Sequence, residues 1–323
     1  MSRNNNKYCP KCGSNKVIKR GIQDEVQVYF CKDCGVRFRN ERKHKTFLSE
    51  EIWNDYVFHK QTIRELVFKY ELNKKTIHKY LNDFEFKKKP IHKPRKIYLV
   101  VDATYFRLRK DGTSWGVILF RDRELKENLW WKFVKHESQL DYLEGKIFLE
   151  ELGYQILSVT TDGFKANIDV FRGIPHQMCH FHMKQIVIRN VTLKPKTEPG
   201  QVILAIAKTL HKTKKEIFTL RLQQFHFKYQ TFLNEKTTHP DGTKSYTHEG
   251  VRNAYNSLVF WYNHLFVYKS NTHIPNTTNT CEGHFSHLKD IVRIHRGMSD
   301  SMRRKVINAV FVESTISPKG TKS

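Results

Sequence analysis

The stretch Ile97–Asp102, IYLVVD, decides how the rest of the chain is read. Five apolar or aromatic residues without alternation describe a strand buried on both faces, and a carboxylate marks its expected end. Working outward, Trp115–Phe120 and Leu129–Val134 predict two further strands, forming an antiparallel meander with the first. Leu140–Leu152 has helical spacing, and Ile156–Thr160 is another buried strand that runs into Thr161, Asp162 and Gly163.

Three strands, a helix and a further strand, with Asp102 and Asp162 at the ends of the first and fourth, is the order of a ribonuclease H-like α/β fold. Like charges at neighbouring strand ends are costly unless a cation lies between them. Magnesium supplies that cation, because it prefers carboxylate oxygens. A pair of ions about 3.5 to 4 Å apart activates a nucleophile and stabilises the leaving oxygen of a phosphodiester. Taken singly, each Asp also fits an ordinary strand cap or turn.

A paired site requires a third carboxylate, and NTTNTCEGHFSHLKDIVRIHRGMS, 276–299, offers Glu282. A polar lead-in opens a helix with an expected core face of Phe285, Leu288 and Val292, and places Glu282 in its first turn. Lys289, two helical turns on, shares the face of Glu282 and suits a phosphate. A coincidental surface ion pair is the plainer reading of the same two residues.

The charge points to the same class of partner. Lys and Arg number 57 against 32 Asp and Glu, a net charge of +25, and such an excess selects polyanions, above all nucleic acid. Residues 1–96 hold 24 basic and 11 acidic side chains, so under a third of the chain carries more than half of the excess. No apolar run approaches the roughly 18 residues that span a bilayer, and Met1–Tyr8 lacks a signal-peptide core. The expectation is a cytoplasmic, nucleoid-associated protein without a membrane partner.

Four of the six cysteines form Cys9-Pro-Lys-Cys12 and Cys31-Lys-Asp-Cys34. That spacing fits a single structural zinc held by four thiolates, with Gly13 and Gly35 closing tight knuckle turns and Val26–Phe30 alternating as a strand. Two disulfides are the alternative pairing. Gln61–Phe84 then carries two short apolar faces, Ile63, Leu66 and Val67, then Ile77, Tyr80 and Leu81, with Thr62 and Asn73 as helix caps. With Glu51–Lys60 as a supporting helix this predicts a helix-turn-helix whose second helix presents Lys74, Lys75, Thr76, His78 and Lys79 to a DNA major groove. A plain helical hairpin is the alternative, and Glu71 stands in the turn where glycine is usual. The segments are 1–45 zinc ribbon, 46–86 helix-turn-helix, 87–96 basic linker, and an α/β catalytic domain from 97 onward.

VVDATYF around Asp102, TTDGFKAN around Asp162, MCHFH beyond it and TNTCEGHFSHLK around Glu282 together resemble the Mutator-like DDE transposases of bacterial insertion sequences. The resemblance spans roughly residues 97–300. It implies a catalytic triad of Asp102, Asp162 and Glu282 holding two magnesium ions, with manganese as a substitute. It also makes Cys179 and His182 the family's C-x-x-H signature, near the active site without requiring zinc: His182 contacting DNA or a metal-ligand carboxylate, Cys179 packing. It further implies a mostly helical insertion, 195–275, between core parts 97–194 and 276–323. Phe225, Phe227, Tyr229, Phe232, Trp261 and Tyr262 there suit either core packing or base stacking, and His295, Arg296 and Gly297 suit phosphate contact.

The implied activity is transposition: binding of terminal inverted repeats, metal-dependent cleavage at the element ends, and strand transfer to target DNA by a dimer. A nuclease or resolvase of the same fold, and a domesticated DNA-binding regulator, are the alternatives.

Overall fold

The computed structural model describes residues 8–23, 26–39, 44–107 and 114–316, so most of Met1–Tyr8, judged above for a signal sequence, lies outside the described residues. The chain divides into two compact units, Met1–Glu85 and Phe86–Ser323.

The first unit begins with an antiparallel sheet of β1 (Val17–Gln23), β2 (Val26–Cys31) and β3 (Arg37–Arg39). Three helices follow: α1 (His44–Val57), α2 (Ile63–Tyr70) and α3 (Lys74–Asp83). Their small core is Ile52, Trp53, Val57, Leu66, Ile77 and Leu81, all fully buried. Thr62 caps α2 in a reciprocal capping box with Glu65, and Asn73 caps α3 through Thr76 N–H. Glu71 closes α2 in the left-handed region, φ 51°, a conformation that costs a non-glycine residue about 1 kcal/mol. Asp55, buried on α1, gathers His59, Lys69 and the Tyr70 hydroxyl at 2.6–2.8 Å and ties the first two helices together.

The second unit is built on a five-stranded mixed sheet of β4 (Lys96–Arg107), β5 (Ser114–Asp122), β6 (Asn128–Val134), β7 (Gln155–Thr161) and β8 (His176–Met178), in the order β6-β5-β4-β7-β8. The first three pair antiparallel; β7 and β8 run parallel to β4. Helix α4 (Gln139–Glu151) crosses from β6 to β7, and the short α5 (Asn167–Val170) lies between β7 and β8. Gly145 lets α4 lie directly on the sheet, since a Cβ there would stand 2.7–2.9 Å from the rings of Trp130 and Phe120. Ile97, Leu99 and Val101 of β4 join Ile118, Phe120, Val159, Tyr142 and Leu149 in the core on this face.

A helical body follows: α6 (His180–Val191), α7 (Glu198–Lys208), α8 (Lys215–Asn234), a hairpin of β9 (Lys236–Thr238) and β10 (Lys244–Tyr246), and α9 (Glu249–Phe260). One apolar core unites α6 to α9 with Trp261, Leu265 and Phe266. The chain returns to the sheet through α10 (Asn279–Ile294) and α11 (Asp300–Ile316), which pack on β4 and β6 respectively. No helix of the described residues is long and apolar enough to cross a membrane.

One expectation changes here. The first strand does not stop at Asp102 but continues to Arg107, because β5 goes on pairing with it, Asp102 opposite Leu119 and Arg107 opposite Ser114. What ends near Asp102 is the parallel ladder with β7, whose last pair is Val100 with Thr160. Residues 87–95 lack regular structure but lie fastened to their own unit: His92 edges onto Phe148 and Tyr154, and Arg95 binds Asp122 and Glu127 at 2.6 and 2.7 Å.

Candidate active site

Parallel pairing aligns Leu99 with Val159 and Val100 with Thr160, so Asp102 and Asp162 each stand two residues beyond the same pair. At a strand spacing of about 4.8 Å, side chains two positions on share a face and stand level. The alternate residues Ile97, Leu99 and Val101 face α4, which puts Asp102 on the face covered by α10. Glu282 enters from there, in the first turn of that helix.

Asp102 is buried, and its Oδ1 accepts the N–H of Ala103 at 2.9 Å. Burial, then the charge of Asp162, pushes its carboxyl well above the ordinary carboxylate range, and Glu282 pushes the same way. Burial also raises Asp162, against the opposing pull of the Phe164 N–H, 3.0 Å from Oδ1, and of Arg189. A fourth carboxylate, Glu137, borders this group. It accepts the Tyr142 hydroxyl, and burial raises it, with the charge of Asp162 adding to the shift. Its place in a loop between strand and helix gave the sequence no signal for it.

Among the described residues, two sets of side chains bring three or more metal-ligand atoms within 4.8 Å of one another: Cys9, Cys12, Cys31 and Cys34, and Cys179, His182 and Glu282. Asp102, Asp162 and Glu282 do not close to that distance as a set; a pair of ions about 3.5–4 Å apart takes a wider ring of oxygens than a single ion does. Cys179 does more than pack: its buried sulfur accepts the backbone N–H of Thr278 at 3.3 Å. His182 lies beside Glu282, and burial lowers its pKa, keeping the ring neutral near pH 7. Cys281 turns away into the core, 3.8 Å from the carbonyl of Val100.

Along α10, Lys289 is exposed and lines an open cleft of about 490 Å³ with Arg293, Arg296, Arg303 and Tyr105. Val292 also borders this cleft, and Ile291 takes the core position expected of it, because the buried stripe advances by three residues from Leu288 instead of four. His295 is buried where the helix ends and is not on the surface with Arg296.

In the amino-terminal unit the sulfurs of Cys9 and Cys34 lie 3.5 Å apart and those of Cys12 and Cys31 3.6 Å. Each pair sits in a knuckle: the N–H groups of Gly13 and Gly35, at φ +71° and +69°, donate to the carbonyls of Cys9 and Cys31. The Cys34 N–H and its neighbours hold the Cys31 thiol down at about 6. Four convergent sulfurs of this kind fit one zinc, and these residues would hold it. On α3, Lys74, Lys75, His78 and Lys79 are exposed, whereas Thr76 is half-buried with its hydroxyl bonded to Asn73. In the helical body Phe225, Tyr229 and Trp261 are core, Phe232 stacks on His248, the Tyr262 hydroxyl meets Thr219, and Phe227 is exposed.

Neither a protein-family model nor a curated protein sequence matches this chain. Among solved structures, the Drosophila P element transposase strand transfer complex is similar to it at 9% sequence identity and a TM-score of 0.39, over 85% of this chain and 92% of that one.

Proposed function

We propose that the chain is a DNA transposase of an insertion sequence, whose second unit is a ribonuclease H-like nuclease and strand transferase. The observation that carries this reading is the crowding of acids: Asp102 buried, Asp162 one residue past the end of the parallel strand in matching register, and Asp102 pressed further by Glu282. Protein interiors tolerate such a group when a cation completes it. The strand order β6-β5-β4-β7-β8 and the four motifs in sequence order support the same assignment.

The donor set fits magnesium: carboxylate oxygens, with the proton affinities of two of the groups, Asp102 and Asp162, raised by burial. Asp102, Asp162 and Glu282 would hold it. Bound there, magnesium or manganese supplies charge neutralisation at the phosphate and a more acidic attacking water or hydroxyl. Around that centre the protein's own residues position the strand. Lys289 and Arg293 on α10, with Arg296 just past its end, neutralise phosphates, and His182, half-buried, borders Glu282. Cleavage at the element end frees a 3′ hydroxyl, and the same acids serve its attack on target DNA.

The amino-terminal unit reads the element ends, its zinc knuckles preceding a helix-turn-helix in which Lys75 and His78 face bases and the flanking lysines face phosphates. Residues 195–275 are an insertion into the catalytic domain, and a dimer on DNA pairs the two ends. Magnesium-dependent cleavage of a duplex carrying the repeats that flank the gene, lost in Asp102→Asn, tests the assignment. Cleavage without joining to target would favour the nuclease.

A further inference from the structure

The loop that delivers Glu282 is stapled down at three points. Thr160 Oγ1, two residues before Asp162, donates to Pro275 O at 2.9 Å; His180 N–H donates to Asn276 O at 2.8 Å; Thr278 N–H donates to Cys179 Sγ at 3.3 Å. Thr278 is fully buried and is the N-cap residue of α10. Threonine at that position ordinarily turns its hydroxyl onto a free N–H of the first helical turn, a bond worth about 1 kcal/mol. Here the hydroxyl makes no such bond. It points into the middle of the Cys179, His182 and Glu282 cluster instead, with Oγ1 3.5 Å from Cys179 Sγ, 3.5 Å from His182 Nδ1 and 3.3 Å from Glu282 Oε1. A hydroxyl has one hydrogen to donate and two acceptor positions, and with Asp102, which also takes a hydrogen bond from this side chain, four polar groups surround it.

We infer that Thr278 is a positioning residue: its hydroxyl is the hub through which Cys179 and His182 hold the Glu282 carboxylate in place for a divalent cation. This rests on the reading of Glu282 as a metal ligand and gives the C-x-x-H pair a task in it. The pair latches the first turn of α6 to the first turn of α10, so two helix starts from distant parts of the chain meet at one oxygen. Carboxylate ligands are ordinarily oriented by such hydrogen-bonding partners, whose loss weakens metal affinity roughly 10- to 100-fold. The arrangement explains why a cluster that looks like a soft-metal site contains a buried threonine at its centre.

The test measures Mn2+ binding to the full chain by the electron paramagnetic resonance signal of the free ion, with zinc content and thermal unfolding recorded for each variant. Thr278→Val keeps the shape and removes the hydroxyl; about tenfold weaker Mn2+ binding at an unchanged melting temperature is expected. Thr278→Ser, which restores the hydroxyl, should return affinity to within about twofold of the parent. Glu282→Gln separates the two ideas. If it binds Mn2+ like the parent, the reading of Glu282 as a ligand is wrong. If it loses binding while Thr278→Val does not, only the hub is wrong. Should Thr278→Val unfold, Cys179→Ala supplies the decision: a two- to threefold loss of affinity is expected, and unchanged affinity overturns the hub. A second zinc per chain, lost in Cys179→Ala, would also overturn it, because the cluster would then be a metal site in its own right.

Discussion

His176 Nε2 lies 2.8 Å from the hydroxyl of Thr161, the residue before Asp162, and both side chains are buried. The contact props the end of β7 from β8, so the strand that presents one acid of the site rests on a neutral imidazole. Nδ1 of the same ring has no hydrogen-bond partner among the described residues. Burial, with the neighbouring His264, lowers the pKa of His176 to about 3, and burial lowers that of His180 to about 4.

The sign of the resulting pH dependence follows. Above the ordinary value of 6.5 both folded and unfolded states are neutral at these rings, and neither costs stability. As pH falls below 6.5 the unfolded chain takes up protons that the folded chain refuses until about 4 and about 3, so stability drops across that window. Each histidine steepens the fall by at most about 1.4 kcal/mol per pH unit. Urea midpoints between pH 7.5 and 5 should therefore decline steeply, and His176→Gln should flatten the decline. An identical slope in the variant would assign the acid sensitivity elsewhere.

Zinc analysis of the intact chain should return about one zinc, removed by a strong chelator with loss of structure in the amino-terminal unit. Cys31→Ser should lower zinc occupancy and leave Mn2+ binding by the second unit unchanged. A chain that is free of zinc and still folds its first unit would contradict the four-thiolate site.

Changing Lys75 or His78 to Ala should reduce discrimination between element-end and random duplex by about 1–3 kcal/mol, as loss of a base contact does. Lys89→Ala should weaken both equally and lower the salt dependence. Lys89 is the better comparison than Lys88, which is paired with Glu313 at 3.0 Å. Equal losses for all three variants would place the specificity outside α3.

The strands that lead to the candidate acids are legible in sequence because strongly buried strands announce themselves. Ile97–Val101 is an unbroken apolar run and Ile156–Thr160 a mostly apolar one broken by Ser158, and the structure extends them to Lys96–Arg107 and Gln155–Thr161. The overrun of β4 gave no such run: Thr104, Tyr105 and Phe106 alternate buried, exposed, buried in the structure, as a half-covered strand does, but the residue types themselves do not alternate. Strand β8 has three residues, too few to show any period. The hub could not be read at all. Thr278 meets Cys179 across 99 positions of sequence, and a threonine before a helix reads as an ordinary cap until its hydroxyl is seen facing the other way.

The most direct measurement is magnesium-dependent cleavage and joining of a labelled duplex carrying the flanking repeats, comparing the parent with Asp102→Asn, Asp162→Asn and Glu282→Gln. Each change removes one charged oxygen ligand while nearly preserving shape. Every variant should bind the duplex like the parent, while cleavage and strand transfer fall together by about a hundred- to a thousandfold, the scale of losing a principal electrostatic contributor. Full activity in any one of the three would contradict the catalytic triad.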